Sequence, residues 1–262
     1  MKRYGMNEII QGLWIGARLS VMEQLSISSF LANGHEYHLY VYDEVKNIPE
    51  GTIVKDGNHI LPSSMIFQYK NHKSYSGFSN YFRYKLLLEN GGWWSDTDTV
   101  CLKPFDFDSE YVFSTELSEN GTVTNTGVIK CPAASRVMLY AWETCQRKDP
   151  ESLVWGEVGP RLFARLVKEL SLENHTKSYK AFCPFSFKDW EKVLDPNAVW
   201  DFDESTYAVH LWNEMWRRGG QDKDQRFHPD CLYERLKRKY LKQVPLHACE
   251  ADGIKALQAQ EA

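Results

Sequence analysis

The stretch from Asn7 to Tyr42 puts a strand, a helix and a second strand in immediate succession, and that order leaves few folds open. Asn7 to Ile15 reads as a buried strand through Ile9, Ile10, Leu13, Trp14 and Ile15, punctuated by Gly12 and Gly16. Ser20 with Glu23 three residues later is a capping box. It opens a helix with Met22, Leu25 and Phe30 roughly on one face, which Asn33-Gly34 ends. His38 to Tyr42 reads as the next strand. A βαβ unit of this kind predicts an α/β fold with a mainly parallel sheet flanked by helices.

The rest of the chain continues the pattern. Residues 46–78 read as mixed short elements and loops. Ser79 can cap a helix from Asn80 to Asn90 with Phe82, Leu86 and Leu87 facing inward, and Gly91-Gly92 stops it. A strand from Trp93 to Ser95 then leads into Asp96-Thr97-Asp98. Tyr111–Thr115 and Val123–Lys130 flank Asn120-Gly121, a hairpin signal. Residues 134–147, 159–170 and 231–241 read as helices. Past Pro245 the chain turns polar and small, so one domain over 1–244 and a frayed tail over 245–262 are expected.

Composition excludes several classes. With 31 Lys+Arg against 35 Asp+Glu, the chain lacks the basic footprint of a nucleic-acid binder. No stretch approaches the ~18 uninterrupted apolar residues of a membrane span. The N-terminal residues include Lys2 and Arg3 but no apolar run of signal-peptide length, so a cytoplasmic location is expected. Six cysteines without a C-x-x-C spacing read as free buried thiols rather than a zinc site. Nine Trp, fourteen Tyr and thirteen Phe make up 14% of the chain; much of this is core, and Trp and Tyr also suit a site that stacks on bases or sugar rings.

Asp96 and Asp98 carry the chemistry. In an extended chain, residues two apart point the same way and lie ~6–7 Å apart, so their carboxylates can converge on one cation. Oxygen ligation of this kind favours Mg²⁺ or Mn²⁺ over Zn²⁺. An ion held so openly would neutralise a diphosphate as it leaves. The carboxylates follow a strand, and open α/β sheets bind ligands beyond the carboxyl ends of their strands. A bare D-x-D also occurs as a solvated acidic turn.

The surrounding pattern resembles the sugar-binding region of DXD glycosyltransferases of the GT-A fold. The family pattern, S-D-x-x-R followed by G-G-x-Y-x-D-x-D and a nearby proline, stands here as Ser79-Asn80-Tyr81-Phe82-Arg83, Gly91-Gly92-Trp93-Trp94-Ser95-Asp96-Thr97-Asp98 and Pro104. Asn80 replaces the usual Asp and Trp94 the usual Tyr. Fainter likenesses cover Ile9–Gly16, Asn125–Ile129, Gly159-Pro160 and His210-Leu211-Trp212 with Trp216.

The resemblance implies a Rossmann-like GT-A domain and metal-dependent transfer of a hexose or N-acetylhexosamine from a nucleotide diphosphate sugar, UDP-linked, to a saccharide hydroxyl. It implies retention at the anomeric carbon by same-face attack, the departing phosphate oxygen taking the acceptor's proton. Asp98 would bind the ion directly. Asp96 would meet ribose or donor hydroxyls, and the ion through water. His210 would complete the site, which suits Mn²⁺, or serve as a structural histidine among tryptophans. Arg83 would reach donor hydroxyls or hold Asp96 in place, or be an ordinary exposed helix arginine, and Asn80, three residues before it on the same helix face, could share its role. Trp14 would stack on the base or fill the core. Of Trp212 and Trp216, one would cover the diphosphate and the other be core. Glu157 and Asn125 would orient the acceptor.

The basic stretch Arg235, Lys237, Arg238, Lys239 and Lys242 suits either a solvated helix face or an anionic membrane surface, where lipid-linked acceptors of cell-surface polysaccharide synthesis reside. Three rival readings stand beside the transferase. One is a degenerate nucleotide-sugar or carbohydrate-binding module, which Asn80 keeps open. Another is an effector that glycosylates a protein. The third is a nucleotidyltransferase or nuclease, which the charge and the lack of a Gly-rich phosphate loop oppose.

Overall fold

A computed structural model of the chain describes residues 7–119 and 121–241. The expected tail over 245–262, Lys242, Cys249, the turn residue Asn120 and the first six residues lie outside the described part. The strands are β1 (Asn7–Leu13), β2 (His35–Val41), β3 (Ile53–Asp56), β4 (Gly92–Ser95), β5 (Thr99–Cys101), β6 (Val112–Ser118), β7 (Gly121–Cys131) and β8 (Ala208–His210). The α-helices are α1 (Val21–Ala32), α2 (Ser76–Asn90), α3 (Arg136–Gln146), α4 (Pro160–Glu169), α5 (Asn213–Arg218) and α6 (Leu232–Tyr240). Six strands form one mixed sheet in the order β3-β2-β1-β4-β7-β6. The first four run parallel, while β7 is antiparallel to both β4 and β6. The fold is thus of the expected α/β class, a half-Rossmann sheet extended by an antiparallel hairpin.

Alternation along the strands divides the core between two faces. Trp93 and Trp94 are adjacent in β4 and both buried, yet they point to opposite sides of the sheet. Trp93 packs into the cluster that includes Met22 and Leu25 of α1 and Leu232 and Leu236 of α6. Trp94 packs into the cluster that includes Phe82 and Leu86 of α2, Met138 of α3 and Phe163 of α4. Five cysteines, Cys101, Cys131, Cys145, Cys183 and Cys231, are free and buried, as expected.

The capping box of α1 forms as read: Ser20 N donates to Glu23 Oε2 at 2.8 Å, and Met22 N donates to Ser20 Oγ at 3.3 Å. Helix α2 differs from its sequence reading. It begins at Ser76, one turn before Asn80, with Tyr75 at its N-cap position. Ser79 therefore lies inside the helix, where its hydroxyl accepts from Arg83 instead of capping. Gly91 ends α2 at φ +64, and a Cβ there would fall 2.4 Å from Ala133 N, so this position admits only glycine.

Short strands explain the other departures. Three residues of β5 pair antiparallel with three of β8, making a second small sheet that the sequence hides. This ladder sets Thr99 opposite His210 and brings the C-terminal third of the chain back to the end of β4. Edge strand β3 has four residues and little apolar alternation.

Candidate active site

The two aspartates sit where the chain leaves one sheet for the other. Asp96 N donates to Gly127 O at 2.8 Å, and Thr99 N returns to Asp96 O at 3.1 Å, so Asp96 to Thr99 is a tight turn and not the extended segment expected. The turn still converges the carboxylates. Beyond it, Leu211 N donates to Asp98 O at 2.8 Å, which locks the turn onto the segment after β8.

Each carboxylate has one oxygen tied to the scaffold and one left for a ligand. Asp96 Oδ1 takes Arg83 Nη2 and Trp94 Nε1, both at 2.9 Å. Asp98 Oδ2 accepts from Asn213 N at 2.8 Å, while its Oδ1 lies 3.0 Å from His210 Nε2. One ligand atom from each of Asp96, Asp98 and His210 lies within 4.8 Å of the others. His210 is buried, and neither ring nitrogen makes a well-directed hydrogen bond. Gly127 leaves the space open: a Cβ there would be 3.6 Å from each of Asp96 Oδ2, His210 Nε2 and Asn125 Oδ1. A buried imidazole beside Asp98, two carboxylates and the gap at Gly127 that they border fit a divalent cation.

The charges follow from this packing. Burial raises the Asp96 carboxyl above the ordinary range, with Arg83 pulling it back. Burial acts the same way on Asp98, but the His210 imidazole and the Asn213 N–H outweigh it and hold that carboxyl low. Burial would lower His210, and Asp98 overrides it and raises the imidazole.

Arg83 is the organiser of the site. It is buried, and its guanidinium also donates to Ser79 Oγ at 3.0 Å and to the Thr126 carbonyl, with its carbon 4.9 Å from the Trp94 ring centre. Asn80 lies on the same face of α2, accepts from Thr126 Oγ1 at 3.4 Å and packs on Gly159 so closely that a Cβ there would sit 2.9 Å from its Nδ2.

A cleft of about 770 Å³ opens over this group. Asn80, Arg83, Asn125, Trp14 and Trp212 all line it together with the three ligand residues, so eight of the ten residues singled out in the sequence converge. Trp14 is half-buried with Lys223 Nζ 5.8 Å from its ring. Trp212 is the N-cap of α5, in the left-handed region at φ +59, and its ring lies 4.1 Å from that of His210. Trp216 is core, fully buried against Trp190 and Tyr233. Glu157 does not line the cleft. Its carboxylate is 2.6 Å from Lys148 Nζ and accepts from Val154 N.

Sequence reasoning missed Glu116 and the cationic rim of Lys73, Arg217, Arg218 and Lys223. These residues carry no motif, and only the return of the chain from β8 into α5 assembles the rim. On α6, Lys237 pairs with Glu234 and Arg238 donates to the Pro229 carbonyl, so part of the basic stretch is satisfied locally. No described helix is long and apolar enough to cross a membrane.

Comparison with known proteins matches the site to a family. Residues 21–116 match the glycosyltransferase sugar-binding region containing the DXD motif, and residues 151–244 match the alpha 1,4-glycosyltransferase conserved region. Both matched models describe glycosyltransferases, and the first spans the D-x-D turn. The chain is 23% identical over 189 residues to human (Homo sapiens) alpha-1,4-N-acetylglucosaminyltransferase, covering 63% of this chain and 52% of that protein. It is 31% identical over 75 residues to mouse (Mus musculus) lactosylceramide 4-alpha-galactosyltransferase, covering 23% of this chain and 21% of that protein. The chain thus spans about half the length of the first of these relatives and a smaller share of the second. Among solved structures it resembles the PaToxG glycosyltransferase (TM-score 0.48, 18% identity, 64% of this chain and 72% of that one). It also resembles the glycosyltransferase GlyE of Streptococcus pneumoniae TIGR4 (TM-score 0.40, 13% identity, 71% of this chain and 46% of that one).

Proposed function

We propose that this transferase moves a hexose or N-acetylhexosamine from a UDP-sugar to a saccharide hydroxyl, with retention at the anomeric carbon and with Mn²⁺ as its ion. The observation that carries the reading is that one ligand atom from each of Asp96, Asp98 and His210 lies within 4.8 Å of the others, in a cleft large enough for a nucleotide sugar. The names of the relatives support a sugar donor and acceptor of this class.

Asp96, Asp98 and His210 would hold the ion, whose chemistry is charge neutralisation of the diphosphate as it leaves. Arg83 orients Asp96 by direct hydrogen bonding, since its own donors are engaged by Ser79, Thr126 and Asp96. Asn80 offers its amide to donor hydroxyls where a carboxylate would otherwise stand. Trp14 forms the wall on which the base stacks, and the rim cations Lys223, Arg217 and Arg218 draw the diphosphate into the cleft. The acceptor is a free or lipid-linked saccharide, and the aromatic side of the cleft at Tyr69, Tyr75 and Trp155 suits its sugar ring.

A hydrolysis screen tests the reading. Purified protein incubated with UDP- and GDP-sugars and Mn²⁺ should release UDP slowly from one donor, and EDTA should stop it. Release of no nucleotide from any donor while one of them still raises the melting temperature would favour the binding-module alternative, and no release with no shift from any donor would overturn the reading.

A further inference from the structure

The cleft holds a carboxylate that neither the motif nor the ion site uses. Glu116 lies on β6, half-buried, and its Oε2 accepts a 3.1 Å hydrogen bond from Asn125 Nδ2. The Asn125 amide is itself locked: its Oδ1 accepts from Gly127 N at 3.1 Å and from the Ser114 hydroxyl, and its Nδ2 also reaches Cys183 Sγ at 3.2 Å. With the oxygen end so committed, the amide can present only N–H groups to Glu116. The strand is built for this. The β6–β7 register shifts between Phe113 and Thr115, and Ser114 in that irregular step also takes the N–H of Val128. Such bulges re-aim side chains next to active sites.

The other carboxylates lining the cleft have different partners. Asp96 and Asp98 belong to the ion site. Glu214 is paired with Arg217 and Arg218. Asp224 is paired with Arg18, and exposed Asp222 accepts from Asp224 N at the mouth. Among the described residues, no lysine or arginine pairs with Glu116, which lines the cleft together with Asn125, Gly127 and the ion-site residues. Burial raises this carboxyl while Asn125 and the charge of His210 favour its ionised form.

We propose that Glu116 is the nucleophile of the transfer and that Asn125 aims it at the anomeric carbon of the donor. This rests on the transferase reading above and replaces same-face attack with two displacements. In the first, a Glu116 oxygen forms a bond to C1 as the C1–O bond to the diphosphate breaks, and the electron pair leaves with the nucleotide. In the second, the acceptor oxygen bonds to C1 as the C1–O bond to Glu116 breaks, restoring the carboxylate, and the hydroxyl proton passes to a phosphate oxygen of the bound nucleotide. Two inversions give retention, and no general acid is needed because a diphosphate departs unprotonated. Asn125 is then a positioning residue.

The test uses the UDP-sugar that the full-length wild type cleaves, chosen from UDP-galactose, UDP-glucose and their N-acetylamino counterparts. Glu116→Ala and Glu116→Gln should lose transfer by about 10³-fold or more while UDP with Mn²⁺ still raises their melting temperature as in wild type. Azide should restore nucleotide release to Glu116→Ala, giving a glycosyl azide of inverted configuration, and should not rescue Asp98→Asn. The 2-fluoro analogue of the same donor should leave one glycosyl unit on the wild-type peptide containing Glu116. Activity above a tenth of wild type in both Glu116 variants, or no adduct and no azide rescue, overturns Glu116 as nucleophile and leaves the transferase reading standing, whereas an inverted transfer product overturns Glu116 and the retention in that reading together. A wild type that neither binds nor cleaves any of these donors overturns both.

Discussion

Arg83 and Asp96 form a 2.9 Å ion pair that fastens helix α2 to the turn bearing both carboxylates. The arginine side chain is only 4% exposed, and its remaining donors reach Ser79 and Thr126, so one residue links α2, β7 and the D-x-D turn. The family spacing between this arginine and the aspartates is therefore a structural tie across about one helix and one strand.

Breaking that tie should cost both stability and function. Arg83→Met strands Asp96 without its partner and should lower unfolding free energy by about 3 kcal/mol. Arg83→Lys keeps a charge but loses the planar fork that serves three elements, and should retain under about a tenth of the activity. Urea unfolding and UDP release measure the two effects. A Met variant as stable as wild type would show that the pair is incidental.

Gly127→Ala tests the gap between the ligand residues. Its backbone is not left-handed, and the new methyl would meet its neighbours at 3.6 Å, an ordinary contact. The melting temperature should move by no more than about 2 °C. Mn²⁺ affinity, followed by electron paramagnetic resonance of the free ion, should fall by about tenfold or more because the methyl fills the space that the ligand atoms face. Unchanged affinity would place the ion elsewhere.

Trp14→Ala should raise the donor KM by about tenfold, the usual worth of a base on an aromatic ring, with kcat little changed. A matching fall in kcat at constant KM would move Trp14 from the base to the reacting centre.

Much of this site was legible in the sequence, because its main parts are local. The capping box at Ser20 and Glu23 and the stop at Gly91-Gly92 each depend on residues within a few positions of one another, whereas the D-x-D segment, read as extended, is turned by contacts with Gly127 and Leu211. The hairpin of β6 and β7 was readable from its turn and its alternating residues. Other parts depend on contacts far along the chain. Strands β5 and β8 have three residues each and hold together only as a pair, so no periodicity marks them. Ser79 looked like a helix cap because Ser is suited to that position, but tertiary packing of Phe78 begins the helix a turn earlier and gives Ser79 to Arg83. Glu116 has no motif, and its significance comes from a register shift and from Asn125 nine residues on. Glu157 stood beside Gly159-Pro160 in sequence, yet it is Gly159 that touches the site, through Asn80.

Glu157→Gln should therefore leave activity within about twofold of wild type, as expected of a substitution at an exposed ion pair with Lys148. A loss of transfer with intact donor hydrolysis would return Glu157 to the acceptor side.

The buried thiols give a check on the packing. Burial pushes Cys101, Cys131 and Cys145 up to about 12, so at pH 8 each is a thiol and shielded. Native protein treated with iodoacetamide should carry no modification at these three positions by peptide mass spectrometry, and urea should expose all of them. Rapid native alkylation at any one would contradict the core described here.

The most direct test of the central claim is the melting temperature of wild type and Asp98→Asn with UDP, with Mn²⁺ and with both. Cooperative ion and nucleotide binding at Asp96, Asp98 and His210 predicts that wild type gains more stability from the pair than from either alone, and that EDTA removes the gain. Asp98→Asn should keep its own melting transition and lose that gain. A gain that survives EDTA, or that Asp98→Asn retains in full, would contradict a metal-dependent donor site at this turn.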